Sequence, residues 1–514
     1  MTTERIYLST TTPYVNARPH LGHALELVQA DVLARHHRLA GDQVRFQTGT
    51  DDNSLKNVLA AEAEGVAVAE LVGRYADAFA GLREPLALSF DDFICTSSDP
   101  RHRPGVERLW RTCADHGDLY LKHYEGRYCV GCEQFYKPAE LQDGLCPEHR
   151  TPPQLVAEEN WFFRLSRYAD QLYDLVSSGG LRIEPAARRN EVLGFIAGGL
   201  EDFSVSRSTA RARGWGIPVP GDPGQVIYVW WDALGNYITA LGYGTDAADY
   251  RRWWVGADRR VHLVGKGVLR FHAVYWPAIL LSAREPLPTE ILVHDYLTAD
   301  GRKISKSGPD GDRADPVALA ARYGTDAVRW WLLREVPRQG DADFTAERLV
   351  ARANDDLAND LGNLVSRAVT LVHRYRQGKV PRAAAHADPA RPAPAGRALT
   401  ELRHQIPQRV AAALAAFDFR AATAALWAVV EEANRYVERA EPWRLARAER
   451  DGDPASGERL DESLALLIGT CSQLGRDLAP FLPGLAARIE AACDDSAGQL
   501  PPVRPVFPRL QLAA

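Results

Sequence analysis

The sequence predicts an α/β protein, with a parallel sheet covered by helices, a segment inserted into it, and an all-helical C-terminal part. Four observations carry this reading. Over residues 1–115, short apolar runs such as "RIYLST" alternate with amphipathic stretches such as "LELVQADVLARHHRLAG", the texture of parallel strands with covering helices. From 116 to 225 a cysteine cluster, many aromatics and the Gly/Pro-rich exit "GWGIPVPGDPGQ" mark an insertion. The strand-rich pattern returns from "VIYVWWDAL" through "VHLVG" to "EILVHDYL". Beyond about 345 the chain reads as helix almost throughout, broken by "VPRAAAHADPARPAPAG".

Bulk properties bound the function. A chain of 514 residues holds two to four domains, and 46% hydrophobic with 25% charged residues is ordinary for a soluble globular protein. There is no charged-then-apolar leader and no run of about 18 uncharged apolar residues, so secretion and membrane spanning are not expected and a cytoplasmic protein is. Seven cysteines is an odd number, which argues against a disulfide framework. A net charge of -6 does not decide for or against a nucleic-acid partner, because that depends on where the basic residues sit.

Taken in chain order, the first chemical element is "NARPHLGHALELVQAD", where His20 and His23 flank Leu-Gly at the start of a helical pattern, just behind a strand-like run. A strand, a turn and a helix N-terminus form an anion site of free N–H groups and positive dipole, so the histidines face phosphate there. Gly22 between them lets a nucleotide approach the backbone closely. The second element is the cluster Cys129, Cys132, Cys146 and His149, a C-x2-C-x13-C-x2-H pattern. Four soft N/S ligands in two knuckles suit one tetrahedral Zn2+, and a full ligand set makes it structural. The third is "DGRKISKSG", where Lys303 and Lys306 on a loop can clamp a polyphosphate as mobile point charges.

At this point the chain resembles the class I aminoacyl-tRNA synthetases, whose "HIGH" and "KMSKS" signatures correspond to "HLGH" and "KISKS". Further stretches, "TTTPYVNARPHLGH", "TGTDD", "YVWWDALGNYITALGYG", "VGKGVLRFHAVYWPAILL" and "DLANDLGNLVSR", are similar in order and wording to methionyl-tRNA synthetases across nearly the whole chain. The resemblance implies a Rossmann-like catalytic domain in two halves (1–115 and 226–300), split by a connective domain (116–225) carrying the zinc knuckle at 129–149. A KISKS loop and stem-contact region (301–350) and a helical anticodon-binding domain (351–514) would follow. It implies ligation of methionine to tRNA(Met) through a methionyl-adenylate, with ATP as substrate accompanied by Mg2+. His20, Gly22, His23, Lys303 and Lys306 would act on ATP, Lys306 first among them. Asp51 would receive the substrate ammonium group. Thr12, Tyr14, Trp230, Ala233, Leu234, Tyr237, Phe271 and His272 would line the methionine side-chain site, where sulfur favours aromatic company. Asn363, Arg367, Pro442 and Trp443 match the anticodon readers. The tail "PVFPRLQ" resembles the end of the family's core, which implies a monomer without an appended dimerisation domain.

Four departures stand out. Asn53 and Ser54 replace His-Gly, Gly267 replaces the Asp of "GKD", a position associated with the ATP ribose, and "GPDGDRADP" after "KISKS" is longer than expected. Thr12 stands where Ile or Leu is usual, and each lost buried methylene costs about 0.8 kcal/mol. The departures leave two alternatives beside methionine ligation: a divergent paralogue charging a related amino acid, and a non-catalytic tRNA-binding protein.

Overall fold

A computed structural model describes residues 3–131, 134–148, 150–299, 301–304, 314–381 and 396–512. Among them, those up to 84 and from 88 to 296 form one compact unit; 85–87, 297–304 and those from 314 onward form a second.

The first unit is built on six parallel strands: β1 (Arg5–Thr10), β2 (Gln43–Thr50), β3 (Asp92–Cys95), β4 (Arg182–Glu184), β5 (Arg259–Gly265) and β6 (Glu290–His294). Their spatial order is β3-β2-β1-β5-β6-β4. Leu8 of β1 lies between Phe46 of β2 and Val261 of β5, all buried, and β1 is buried on both faces from Ile6 onward. This explains why β1 reads as an apolar run instead of an alternating one. Strand order reverses at β1, so the segments leaving β1 and β5 diverge and open a crevice at the carboxyl ends of the strands, where open α/β sheets bind ligands.

Helix α1 (Leu21–Ala40) follows β1 and ends on Gly41, whose φ of 93° is a left-handed conformation that glycine adopts without a Cβ penalty. Helix α2 (Val229–Thr239) is buried along almost its whole length, so "VWWDALGNYIT" has no polar face to announce it as a helix. Between β3 and β5 the chain forms an antiparallel sheet of Gln134–Tyr136, Leu119–Cys129, Gln154–Phe163 and Phe203–Ser204, and a smaller one of Pro218–Val219, Asp222–Ile227 and Ser206–Ser208. The segment expected to be wholly inserted returns one strand, β4, to the parallel sheet, where Ile183 pairs with Ile291.

In the second unit, Leu297–Ala299 pairs with Arg302–Lys303 and Ala342–Phe344, and helices follow from Pro316–Tyr323 to Pro483–Ala492. Leu426, Leu464, Leu467 and Leu474 fill the bundle core. Arg329, fully buried, donates to the carbonyls of Leu86, Pro480 and Phe481 at 2.7–2.9 Å, tying three segments with one guanidinium. Most of the Pro/Ala-rich segment, 382–395, lies outside the described residues. No helix among the described residues is long and apolar enough to cross a membrane.

Candidate active site

The first unit gathers most of the predicted small-molecule residues at the carboxyl end of its sheet. His20 is the N-cap of α1: its Nδ1 accepts from the Gly22 N–H at 3.1 Å, and Nδ1 of His23 accepts from the His20 N–H at 3.0 Å. The two rings stack at 3.8 Å, and Phe79 packs edge-on against His23. Only a bare ring nitrogen accepts a hydrogen bond, so each Nδ1 is unprotonated and each neutral ring carries its proton on Nε2. The capping arrangement thus fixes two N–H donors at the positive end of a helix. Gly22 has a second reason beside the one its sequence context suggested: a Cβ there would lie 2.9 Å from His20 Cε1, so the residue makes room for the imidazole.

The segment leaving β1 is held at two points. Tyr14 bridges to Asp51, the fully buried residue that follows β2, with the Asp51 N–H donating to Pro13 O at 2.9 Å. Thr11 donates through its N–H and hydroxyl to Glu26 of α1, both at 2.6 Å, and the other Glu26 oxygen meets His294 Nε2 at 2.8 Å. Burial alone would lower the His294 pKa, but the Glu26 carboxylate outweighs it and raises it. Half-buried Thr12 is therefore set in a pinned loop.

Trp230, Ala233, Leu234 and Tyr237 recur at helical spacing on α2 and share one face. Trp230 stacks on Phe271 at 3.8 Å and 7°, Tyr14 stands edge-on to Trp230 at 6.2 Å, and His272 lies at 6.4 Å from Trp230. His272 Nδ1–H donates to Val268 O at 2.9 Å, leaving Nε2 to accept from the Tyr237 hydroxyl at 2.7 Å. Burial pushes the His272 pKa down to about 4, so the imidazole is uncharged at neutral pH. The result is an aromatic cage without net charge.

Two departures have structural roles. Ser54 caps the helix Leu55–Glu64 by accepting from the Lys56 N–H, and Asn53 donates to Asp232 Oδ2 at 2.7 Å. Asp232, buried in α2, also pairs with His102 Nε2, whose Nδ1 meets Thr239 Oγ1 at 2.7 Å. Gly267 lies against Tyr296: an ideal Cβ on it would fall 2.2 Å from the Tyr296 hydroxyl. Sequence reasoning missed Glu26, His102, Asp232 and His294; a carboxylate amid the aromatics of "YVWWDAL" was the available signal.

Lys306 lies outside the described residues, and of Lys303 only the backbone, paired with Thr298, is described. Of the proposed zinc ligands, Cys132 and His149 also lie outside. Cys129 and Cys146 are buried thiols in one small cluster with Tyr136 and Leu141, and the Arg150 N–H turns back onto Cys146 O at 2.8 Å. The two thiols thus share one buried cluster, and no group of three or more His, Cys, Asp or Glu that could hold a metal ion occurs among the described residues. In the second unit, Asn363 and Arg367 line a cleft of about 610 Å³, counting the part open to solvent, together with Asp360, Glu431, Asn434 and Arg435. Pro442 begins the helix Pro442–Arg450, with Trp443 41% exposed.

Comparison with known proteins follows the same lines. The family described as "tRNA synthetases class I (M)" matches residues 6–154 and 136–369. The chain is 40% identical to the methionine–tRNA ligase of Brucella suis biovar 1 over 532 residues, covering 99% of this chain and 98% of the relative. It is also 40% identical to that of Mycobacterium tuberculosis H37Rv over 525 residues, covering 98% of both. The structure of Mycobacterium tuberculosis methionyl-tRNA synthetase in complex with methionyl-adenylate superposes with a TM-score of 0.90 at 39% identity, covering 99% of this chain and 100% of that one.

Proposed function

The chain belongs to the methionyl-tRNA synthetases, within class I, and on that premise we propose which of its residues perform the reaction. It activates methionine with ATP and charges tRNA. In the first step a methionine carboxylate oxygen attacks the α-phosphorus of ATP and pyrophosphate leaves, giving methionyl-adenylate. In the second, a hydroxyl of the tRNA 3′ end attacks the carbonyl carbon and AMP leaves.

The observation that supports this assignment most is the uncharged cage of Trp230, Phe271, Tyr14 and His272 beside buried Asp51. A thioether near ring edges gains about 0.3–1.5 kcal/mol per contact, whereas a charged side chain entering the cage would lose its hydration unpaired. Ala233, Leu234 and Tyr237 close the cage, Thr12 lies at its edge, and Asp51 takes the ammonium group. His20 and His23, with their Nε2–H donors, meet phosphate oxygens as charge redistributes in the transition state, and Gly22 keeps their geometry. Lys303 and Lys306 supply the mobile charges, with Mg2+ accompanying ATP. Zn2+ held by Cys129, Cys132, Cys146 and His149 would stabilise the connective domain and take no chemical step. Asn363, Arg367, Pro442 and Trp443 receive the anticodon, and the protein acts as a cytoplasmic monomer.

The test is ATP–pyrophosphate exchange with all twenty amino acids, using Lys306→Ala as control. Methionine alone is expected to drive exchange, and the variant to abolish it. Exchange driven by a different amino acid would mean a repurposed synthetase, and no exchange a non-catalytic tRNA binder.

A further inference from the structure

The cleft in the helical unit contains a carboxylate that none of the assignments above uses. Asp360 comes at the end of a π-helical stretch, Ala353–Gly362, directly before Asn363–Arg376 begins. One of its oxygens, Oδ2, accepts from Trp427 Nε1 at 3.3 Å, and its backbone carbonyl accepts from Asn434 Nδ2 at 3.1 Å. The Trp427 indole is fixed in turn by its packing on Trp330 at 4.5 Å. One carboxylate oxygen is thereby anchored while the residue lines the cleft together with Asn363 and Arg367. Arg367 Nη1 is steadied by Glu438 at 2.7 Å. Asn359, Glu431, Asn434 and Arg435 complete the lining, and the anchored Asp360 acceptor, the Asn363 amide and the Arg367 guanidinium fork form one set within it.

That set complements one base edge. Cytosine presents, in sequence, an amino donor at N4 and acceptors at N3 and O2, and carboxylates accept from the N4 amine. Uracil carries an acceptor at position 4 and a donor at N3, so against Asp360 two acceptors would face each other. Adenine offers an amino donor and one ring acceptor, leaving part of the fork unmatched. The methionine codon AUG pairs with the anticodon CAU, whose first base alone is cytosine.

We propose that Asp360 reads the N4 amine of the first anticodon base, excluding uracil at that position while Asn363 and Arg367 hold the rest of the base edge. This rests on the tRNA-charging reading above and assigns the part of the selection that amide and guanidinium donors do not make. Asp360→Asn sharpens the test. The amide oxygen keeps the bond from Trp427, which turns the NH2 into the cleft as a donor that clashes with N4 and matches the O4 of uracil.

The experiment measures kcat/KM for aminoacylation of transcripts with CAU and UAU anticodons by the full-length wild type, Asp360→Asn and Asp360→Ala. Removing a hydrogen bond to a charged acceptor is expected to cost about tenfold to a hundredfold on CAU. In Asp360→Asn the UAU/CAU ratio is expected to rise by at least that factor, with UAU charged faster than by the wild type; in Asp360→Ala the ratio moves toward one. Because the ratio is internal to each preparation, a partly folded variant does not mimic the result. Methionine-dependent pyrophosphate exchange, measured in parallel, tests the enzyme assignment separately. A wild-type UAU/CAU ratio in both variants, with exchange intact, overturns the role of Asp360.

Discussion

Gly22→Ala separates the two reasons a glycine can stand between the histidines. An added Cβ would lie 2.9 Å from Cε1 and 3.0 Å from Nδ1 of His20. Carbon contacts settle at about 3.5–4.0 Å, so the ring must move by about 0.5–1 Å. The movement strains the 3.1 Å bond from the Gly22 N–H and the 3.8 Å stack on His23. Losing an N-cap bond costs about 1 kcal/mol, while alanine in a helix regains up to about 1 kcal/mol over glycine. The two terms nearly cancel, so Tm should stay within about 3 °C of the wild type. Catalysis has no such compensation, since a displacement of about 1 Å in a positioned group costs about 100-fold. The expected signature in pyrophosphate exchange is a kcat lower by about 30- to 100-fold, with KM for methionine little changed. A kcat within threefold of the wild type would show that the His20 ring position is not what Gly22 protects.

Other parts of the molecule give equally direct tests. Trp230→Ala removes the ring stacked at 3.8 Å on Phe271, and KM for methionine in exchange should rise at least about tenfold; an unchanged KM would place the methionine side chain elsewhere. His272 has a folded pKa of about 4, so the unfolded chain binds the proton first and stability is lost as pH falls from about 6.5 toward 4. That amounts to about 2 kcal/mol between about pH 7.5 and pH 5, which urea unfolding should detect and His272→Gln should largely remove. Metal analysis should find one Zn2+ per chain and Cys146→Ser should lose it; a zinc-free but fully active wild type would refute the knuckle. Gly267→Asp forces its Cβ onto the Tyr296 hydroxyl, 2.2 Å away, so exchange should fall, and adding Tyr296→Phe, which deletes that oxygen, should restore part of it.

The features legible in the sequence share a physical property: they are local. The α1 N-terminus depends on residues within a few helical turns, so periodicity and capping rules reach it, whereas the 230/233/234/237 face came from the family resemblance because its helix is buried all round. The cysteine pairs are read from their spacing alone, and of the four ligands only Cys129 and Cys146 lie among the described residues. What escaped is carried by long-range hydrogen bonds: Asp232 to His102 across 130 positions and Glu26 to His294 across 268. No pattern within a window records such a partner, and a buried carboxylate whose partner is remote looks like any surface acid. Strand β4 escaped for a related reason, since three residues are too short for periodicity and its place depends on pairing with β6. At Gly22 the structure adds a reason that no local pattern carries, the space its own His20 ring occupies.

The departures from the family pattern bear on whether this chain is a decayed relative or a working one, and their surroundings favour the second. Loss of function leaves substituted positions without supporting partners, because nothing selects for the fit. Here Asn53 reaches Asp232 at 2.7 Å and thereby joins the buried chain of Asp232, His102 and Thr239. Ser54 provides an N-cap bond that glycine has no side chain to make. At Gly267, the missing carboxylate is matched by a tyrosine hydroxyl placed where a side chain would begin, with Lys266 Nζ 4.5 Å above the same ring. A hydroxyl can donate and accept, so a polar group remains at that point of the crevice even though the charge is gone. A side chain at 267 and the present position of the Tyr296 hydroxyl thus exclude each other. That mutual exclusion gives the paired variants at 267 and 296 their diagnostic value.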